Sequence, residues 1–176
     1  MLKIFLIKKP EILRKVCSHG DVAHYLFHGD SEDVDIGRIS LQCGRRNDAL
    51  KLFLAWREKG DAGWARLIES YVDLADYLQS LVESEEKLEM MSPRVWSNVC
   101  FRYTAKGIEH NDLNFQIRDR MIKEGRFMVS SSKIGDDIIL RSVIANPGVT
   151  KDTLEKFIEN VIRICDEIIR GVPSLK

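Results

Sequence analysis

The sequence predicts a mixed α/β chain whose second half is an α+β unit, a small antiparallel sheet covered by helices. Three observations predict it. Trp64, Leu67, Ile68, Tyr71, Leu74, Ala75, Leu78, Leu81 and Val82 recur in steps of three and four and draw one wide apolar stripe on a long helix. In "SNVCFRY", Val99, Phe101 and Tyr103 alternate with Asn98, Cys100 and Arg102 in the period of a strand. Leu154, Phe157, Ile158, Val161, Ile162, Cys165 and Ile168 then repeat the helical spacing near the end of the chain.

Taken in order, Leu2 to Ile7 forms a short β-rich run, and Pro10 suits the first turn of a helix reaching about Val16. Residues 18 to 40 hold no sustained period, three glycines, many acids and three of the four histidines. A loop of that length inside a compact domain marks a functional or mobile segment. From Asn47 a helix runs to Gly60, and the striped helix follows from Asp61. "KLEMM" and "SNVCFRY" are strands separated by a turn at Pro93, and residues 111 to 124 form a helix stopped by Gly125. "RFMVSS" and "DIILRSVIA" follow as strands; Asn146, Pro147 and Gly148 then break the chain, and Thr150 caps the last helix. Residues 86 to 170 thus carry their own sheet and helices.

Composition narrows the function. The 176 residues suit one domain with a proper core or one small domain carrying an extra fragment, and 27 basic residues balance 27 acidic ones, so no net field draws the chain to nucleic acid or an anionic membrane. No apolar run spans a bilayer, and "MLKIFLIKKP" is too short in its apolar part for a signal peptide, which points to the cytoplasm. Cys17, Cys43, Cys100 and Cys165 stand singly, as reduced structural thiols do.

Three stretches could carry chemistry. In "IILRSV", Ile139, Arg141 and Val143 share one strand face, which sets a guanidinium among apolar neighbours. A guanidinium keeps its proton, so it pairs with an acid of its own domain, snorkels to water, or receives the carboxylate or phosphate of a ligand. Periodicity alone leaves these readings open. His24 and His28, with Asp21 and Asp30 nearby, have a metal-compatible spacing but no completed ligand set, and a polar loop explains them equally. Tyr25 suits either packing or proton donation from a lid. In "QCGRRND", Gly44 would let the backbone approach a ligand at the next helix N-terminus, or simply turn the chain.

"YLF" at 25–27, "QCGRRNDALKLFLAW" at 42–56, "VCFRY" at 99–103 and "LRSVIANPGVT" at 140–150, in that order, resemble the C-terminal part of the pyridoxal-phosphate-dependent group II amino-acid decarboxylases. This is the branch acting on glutamate, cysteine sulfinate, diaminobutyrate and aromatic amino acids. The resemblance implies the C-terminal portion of a fold-type I enzyme: residues 1–45 a remnant of the large cofactor-binding domain with the catalytic-loop region, 46–85 connecting helices, and 86–176 the small domain. It implies that Arg141 contacts a substrate carboxylate, that Tyr25 on the mobile loop returns a proton after carbon dioxide leaves, and that Gly44 lies close to the cofactor near the subunit boundary.

Lys3, Lys8 and Lys9 do not match the family's Schiff-base lysine, which is preceded by a histidine and sits upstream of the region resembled. The expectation is a segment of a carboxy-lyase, inactive alone, with pyridoxal phosphate bound in the complete enzyme but not covalently by this chain. Its partners would be the amino-acid substrate and the missing large domain or a second copy. The alternatives are a non-catalytic interaction module and a carboxylate-binding module that uses Arg141.

Overall fold

The computed structural model describes residues 6–9, 11–17, 40, 46–105, 107 and 109–171. The chain divides into two compact units, residues 1–61 and 62–176.

In the first unit, α1 is Glu11–Cys17, with Glu11 in its first turn and Arg14 and Lys15 in its last, the charge order a helix dipole favours. Leu6 and Ile7 lie outside any strand, and the rest of the strand expected at 2–7 falls outside the described residues. The long helix α2, Asp48–Ser84, is two arms that meet at Gly60, whose φ of 63° and ψ of 176° interrupt the helical geometry. That left-handed φ is costly for a residue with a Cβ, which explains glycine at the break. Asn47 caps the first arm by accepting the Leu50 N–H at 3.2 Å, and the Trp56 indole N–H donates to Asp61 at 2.6 Å beside the break.

The second unit holds a four-stranded antiparallel sheet. Its strands are β1 (Leu88–Met90), β2 (Asn98–Tyr103), β3 (Ser130–Ile134) and β4 (Asp137–Val143), in spatial order β1-β2-β4-β3. Helix α3, His110–Glu124, connects β2 to β3, and α4, Lys151–Ile169, closes the unit. Because β4 hairpins back between β3 and β2, the strand bearing Arg141 is central.

One sheet face is the core face. Val99, Phe101 and Tyr103 of β2 and Leu140 of β4 cluster with Leu78 and Val82 of α2, Leu113 and Ile117 of α3, and Phe157 and Val161 of α4. The Phe101 and Phe157 rings meet edge to face at 6.2 Å and 86°. Asn114 is fully buried among them and fully used: its carbonyl accepts the Tyr103 N–H at 2.8 Å, and its amide donates to the Tyr103 and His110 carbonyls at 3.0 and 2.8 Å. One side chain thereby ties α3 to the end of β2.

Helices α3 and α4 are also joined by a closed ring of charge. Arg120 contacts Glu124 at 3.5 Å and Glu167 at 2.5 Å; Arg163 contacts Glu167 at 2.8 Å and also pairs with Glu124. Each charge has two opposite neighbours, the condition under which a partly buried pair offsets its desolvation. Below the sheet Lys87 donates to Asp166 at 2.9 Å, and the Tyr103 hydroxyl donates to the same carboxylate at 3.2 Å.

The helical expectations match closely, with Thr150 and Thr153 forming a reciprocal cap on α4 and Gly125 ending α3. The strand expected at 126–131 lies instead at Ser130–Ile134. Residues Gly135 and Asp136 make a two-residue turn, with φ of 60° at Gly135, that pairs Ile134 with Asp137 and Ser130 with Arg141. The turn fixes the register, so "SSSKI" is the strand despite its poor β-propensity, and Phe127 and Val129 go to the core from outside it. No helix among the described residues is long and apolar enough to cross a membrane.

Candidate functional site

The second sheet face carries the candidate chemistry. Phe101 is opposite Leu140 on the core face, so the next pair, Cys100 and Arg141, points to the other side, as does Ser130 across from Arg141 on β3. Arg141 is exposed, while Leu140 beside it is completely buried. The reading of an internal ion pair fails among the described residues, where Arg141 makes none. Its immediate cross-strand neighbours are a thiol and a hydroxyl, neither of which neutralises a cation. Cys100 is buried, and its sulfur accepts from the Asn98 amide at 3.5 Å.

Two positions along the same face stands a second arginine in the opposite condition. Arg102 is held by Glu89 of β1 at 2.9 Å and by Asp137 of β4 at 2.7 Å, a ladder across three strands. Sequence reading missed it, because Glu89, Arg102 and Asp137 become neighbours only once the register is set. The signal that existed was charge at alternating strand positions. Arg102 is thus engaged by two acids, whereas Arg141 has no acid partner among the described residues and reaches solvent, as a snorkelling side chain does.

Tyr25, Gly44, His24 and His28 lie outside the described residues. Among the described residues no cluster of metal-binding side chains occurs. Cys17, Cys100 and Cys165 are free and buried, and burial pushes the Cys165 thiol up to about 11, which keeps it neutral and unreactive near pH 7.

Carbonyl chemistry with an aldehyde cofactor needs a neutral lysine amine. Lys51, Lys87, Lys123 and Lys156 each donate instead to a carboxylate, Asp48, Asp166, Asp119 and Asp152, at 2.7 to 2.9 Å. For Lys156 the hydrogen bond to Asp152 raises the ammonium pKa above its ordinary value. These four lysines are thus engaged with carboxylates of their own surface.

Residues 3–104 match the pyridoxal-dependent decarboxylase conserved domain. Over 178 aligned residues the chain is 32% identical to human cysteine sulfinic acid decarboxylase, covering 93% of this chain and 36% of that protein. Mouse CSAD in its apo form superposes with a TM-score of 0.74 at 23% identity, over 89% of this chain and 34% of that one. Oryza sativa TDC, solved with PLP and tryptamine, gives a TM-score of 0.68 at 25% identity, over 74% of this chain and 29% of that one. The chain therefore spans about a third of the length of these relatives. A conserved-domain match over more than half of the residues, together with a shared mixed fold, leaves one conclusion: the chain belongs to the pyridoxal-dependent decarboxylase family.

Proposed function

We propose that this chain supplies the C-terminal segment of a pyridoxal-phosphate-dependent amino-acid carboxy-lyase, with Arg141 as the group that receives a substrate carboxylate. The observation that carries the reading is the exposed guanidinium on a central strand, without an acid partner among the described residues, beside an arginine that has two. A buried ion pair would have explained Arg141 structurally; exposure leaves its fork free for an external anion.

In this reading residues 1–45 belong to the large domain, 46–85 connect, and 86–176 form the small domain. The cofactor, when bound in the complete enzyme, supplies the electron sink for loss of carbon dioxide. Arg141 positions the substrate. Gripping the departing carboxylate would stabilise the ground state and slow its loss, so its contribution is orientation, or a hold on a carboxylate that stays. Tyr25 closes over the site with its loop, excludes water and returns one proton to the α-carbon; Gly44 lets the backbone come near the cofactor at a subunit boundary. In this reading the lysine that links the cofactor belongs to the part of the family's length that the aligned region does not cover, and the assembly is a cytoplasmic dimer.

Mixing this chain with a polypeptide carrying the large domain tests the reading. Carbon dioxide release should appear only in the mixture, and Arg141→Ala should lower kcat/KM by about 100-fold, the effect of losing a charge-assisted contact worth roughly 2–3 kcal/mol. Unchanged kinetics in that variant would remove Arg141 from the site. If the mixture binds firmly but releases nothing, the interaction-module reading replaces catalysis. The apolar positions left exposed on the first arm of α2, Leu50, Phe53, Leu54 and Trp56, are the feature that favours it.

A further inference from the structure

On the helical side of the sheet, a groove of about 600 Å³ runs between α4 and the segment joining α3 to β3, lined by Arg126, Phe127, Lys156, Glu159, Asn160 and Arg163. Three cations and one acid line it. Lys156, Asn160 and Arg163 follow one another by four and three residues, the spacing that stacks them on one face of α4.

The lining groups differ in what they have left to give. Arg163 is occupied by Glu124, Glu167 and the Asn160 carbonyl at 2.9 Å, so it forms a fixed floor. While the carbonyl is held by Arg163, the Asn160 amide nitrogen is buried and has no acceptor among the described residues, in a residue only 5% exposed. A buried donor in that state is uncommon and favours any oxygen brought to it. Arg126 makes no hydrogen bond or ion pair among the described residues. Lys156 spends one of its three N–H donors on Asp152 in a solvent-exposed pair of the kind that contributes little and yields readily. Phe127 packs edge-on against Phe157 at 5.8 Å and gives the groove a rigid apolar wall.

We propose that this groove binds a small molecule through an oxyanion, carboxylate or phosphate, gripped by Arg126 and Lys156 and completed by the Asn160 amide. Glu159 on the rim opposes high negative charge and accepts a donor from the ligand. The groove lies on the helical side of the sheet and Arg141 on the other, so the proposal stands whether or not Arg141 meets a substrate.

The test is a titration of the full ¹⁵N-labelled chain with inorganic phosphate, and separately with acetate, against sodium chloride at matched ionic strength, read by NMR. Saturable shifts of the Asn160 side-chain amide and of the Arg126 N–H groups are expected with phosphate. Arg126→Ala should weaken the binding by about tenfold or more, and Lys156→Gln by a smaller factor, both at exposed positions that leave the fold intact. Saturation by acetate as well assigns a general oxyanion site, and saturation by phosphate alone narrows the ligand to phosphate esters. Shifts that stay linear, that chloride reproduces, or that persist unchanged in Arg126→Ala would overturn the proposal.

Discussion

The two units use the same kind of helix with opposite outcomes. In residues 62–171 the apolar stripe of α2 ends in completely buried Ala75, Leu78 and Val82, in one cluster with the sheet, α3 and α4. In the described part of residues 1–61, Cys17 is the buried hydrophobic residue, while Leu6, Ile12, Val16, Leu50, Phe53, Leu54 and Trp56 are exposed. A helical period establishes a helix and an apolar face; it does not supply the surface that covers that face. The lining of Ala49, Leu52, Phe53, Trp56 and Arg57 around an open cavity of about 340 Å³ shows the second condition directly.

The comparison breaks most sharply on two phenylalanines. Phe101 is completely buried and Phe53 is 57% exposed. Phe101→Ala should cost about 3–5 kcal/mol by loss of transfer energy and creation of a cavity, and Phe53→Ala less than about 1 kcal/mol, measured by urea unfolding. Equal losses would mean that the first unit owns a core after all.

A smaller effect is expected from Asn114→Ala, which leaves the Tyr103 N–H and two carbonyls without their partner. The expected cost is about 2–3 kcal/mol, with faster amide exchange at Tyr103 as a local signature. A loss of stability without that local change would place the cost elsewhere.

The smallest effect concerns acid. The Asp166 carboxyl is held below its ordinary value chiefly by the hydrogen bond from Lys87, then by that ammonium's charge and the Tyr103 hydroxyl, against an opposing effect of burial. A carboxylate lowered in the folded state contributes fully above its unfolded pKa of about 3.9, and that contribution is lost as pH falls through the lower folded value. Glu167 is lowered in the same direction, first by Arg163. Stability should therefore fall between about pH 5 and about pH 2, and Lys87→Met should flatten that limb. Parallel acid limbs in both proteins would show that Asp166 contributes nothing to it.

Much of the second unit was legible because its signals are local. The Thr150 cap and the Gly125 stop each sit where a single residue type satisfies a backbone need, as does the break at Gly60 in the first unit. The strand β3 was not, since "SSSKI" has Ile134 as its single β-branched residue and owes its state to the turn at Gly135 and Asp136 and to pairing with β4. Arg141 was legible as an arginine on an otherwise apolar strand, whereas its lack of an acid partner among the described residues depended on where Glu89 and Asp137 fell, and both went to Arg102. The groove below Asn160 had no sequence signal, because a missing acceptor is visible only after every neighbour is placed.

By itself the sequence determined the family, the order of the helices and most strands, and the face of β4 on which Arg141 stands, because periodicity, capping and motif spelling act within a few residues. Only the tertiary structure decided that Glu89 and Asp137 pair with Arg102, where β3 pairs, and which apolar faces are covered. Those outcomes depend on register and packing between segments far apart in the chain, where a shift of one residue exchanges the two sides of a strand.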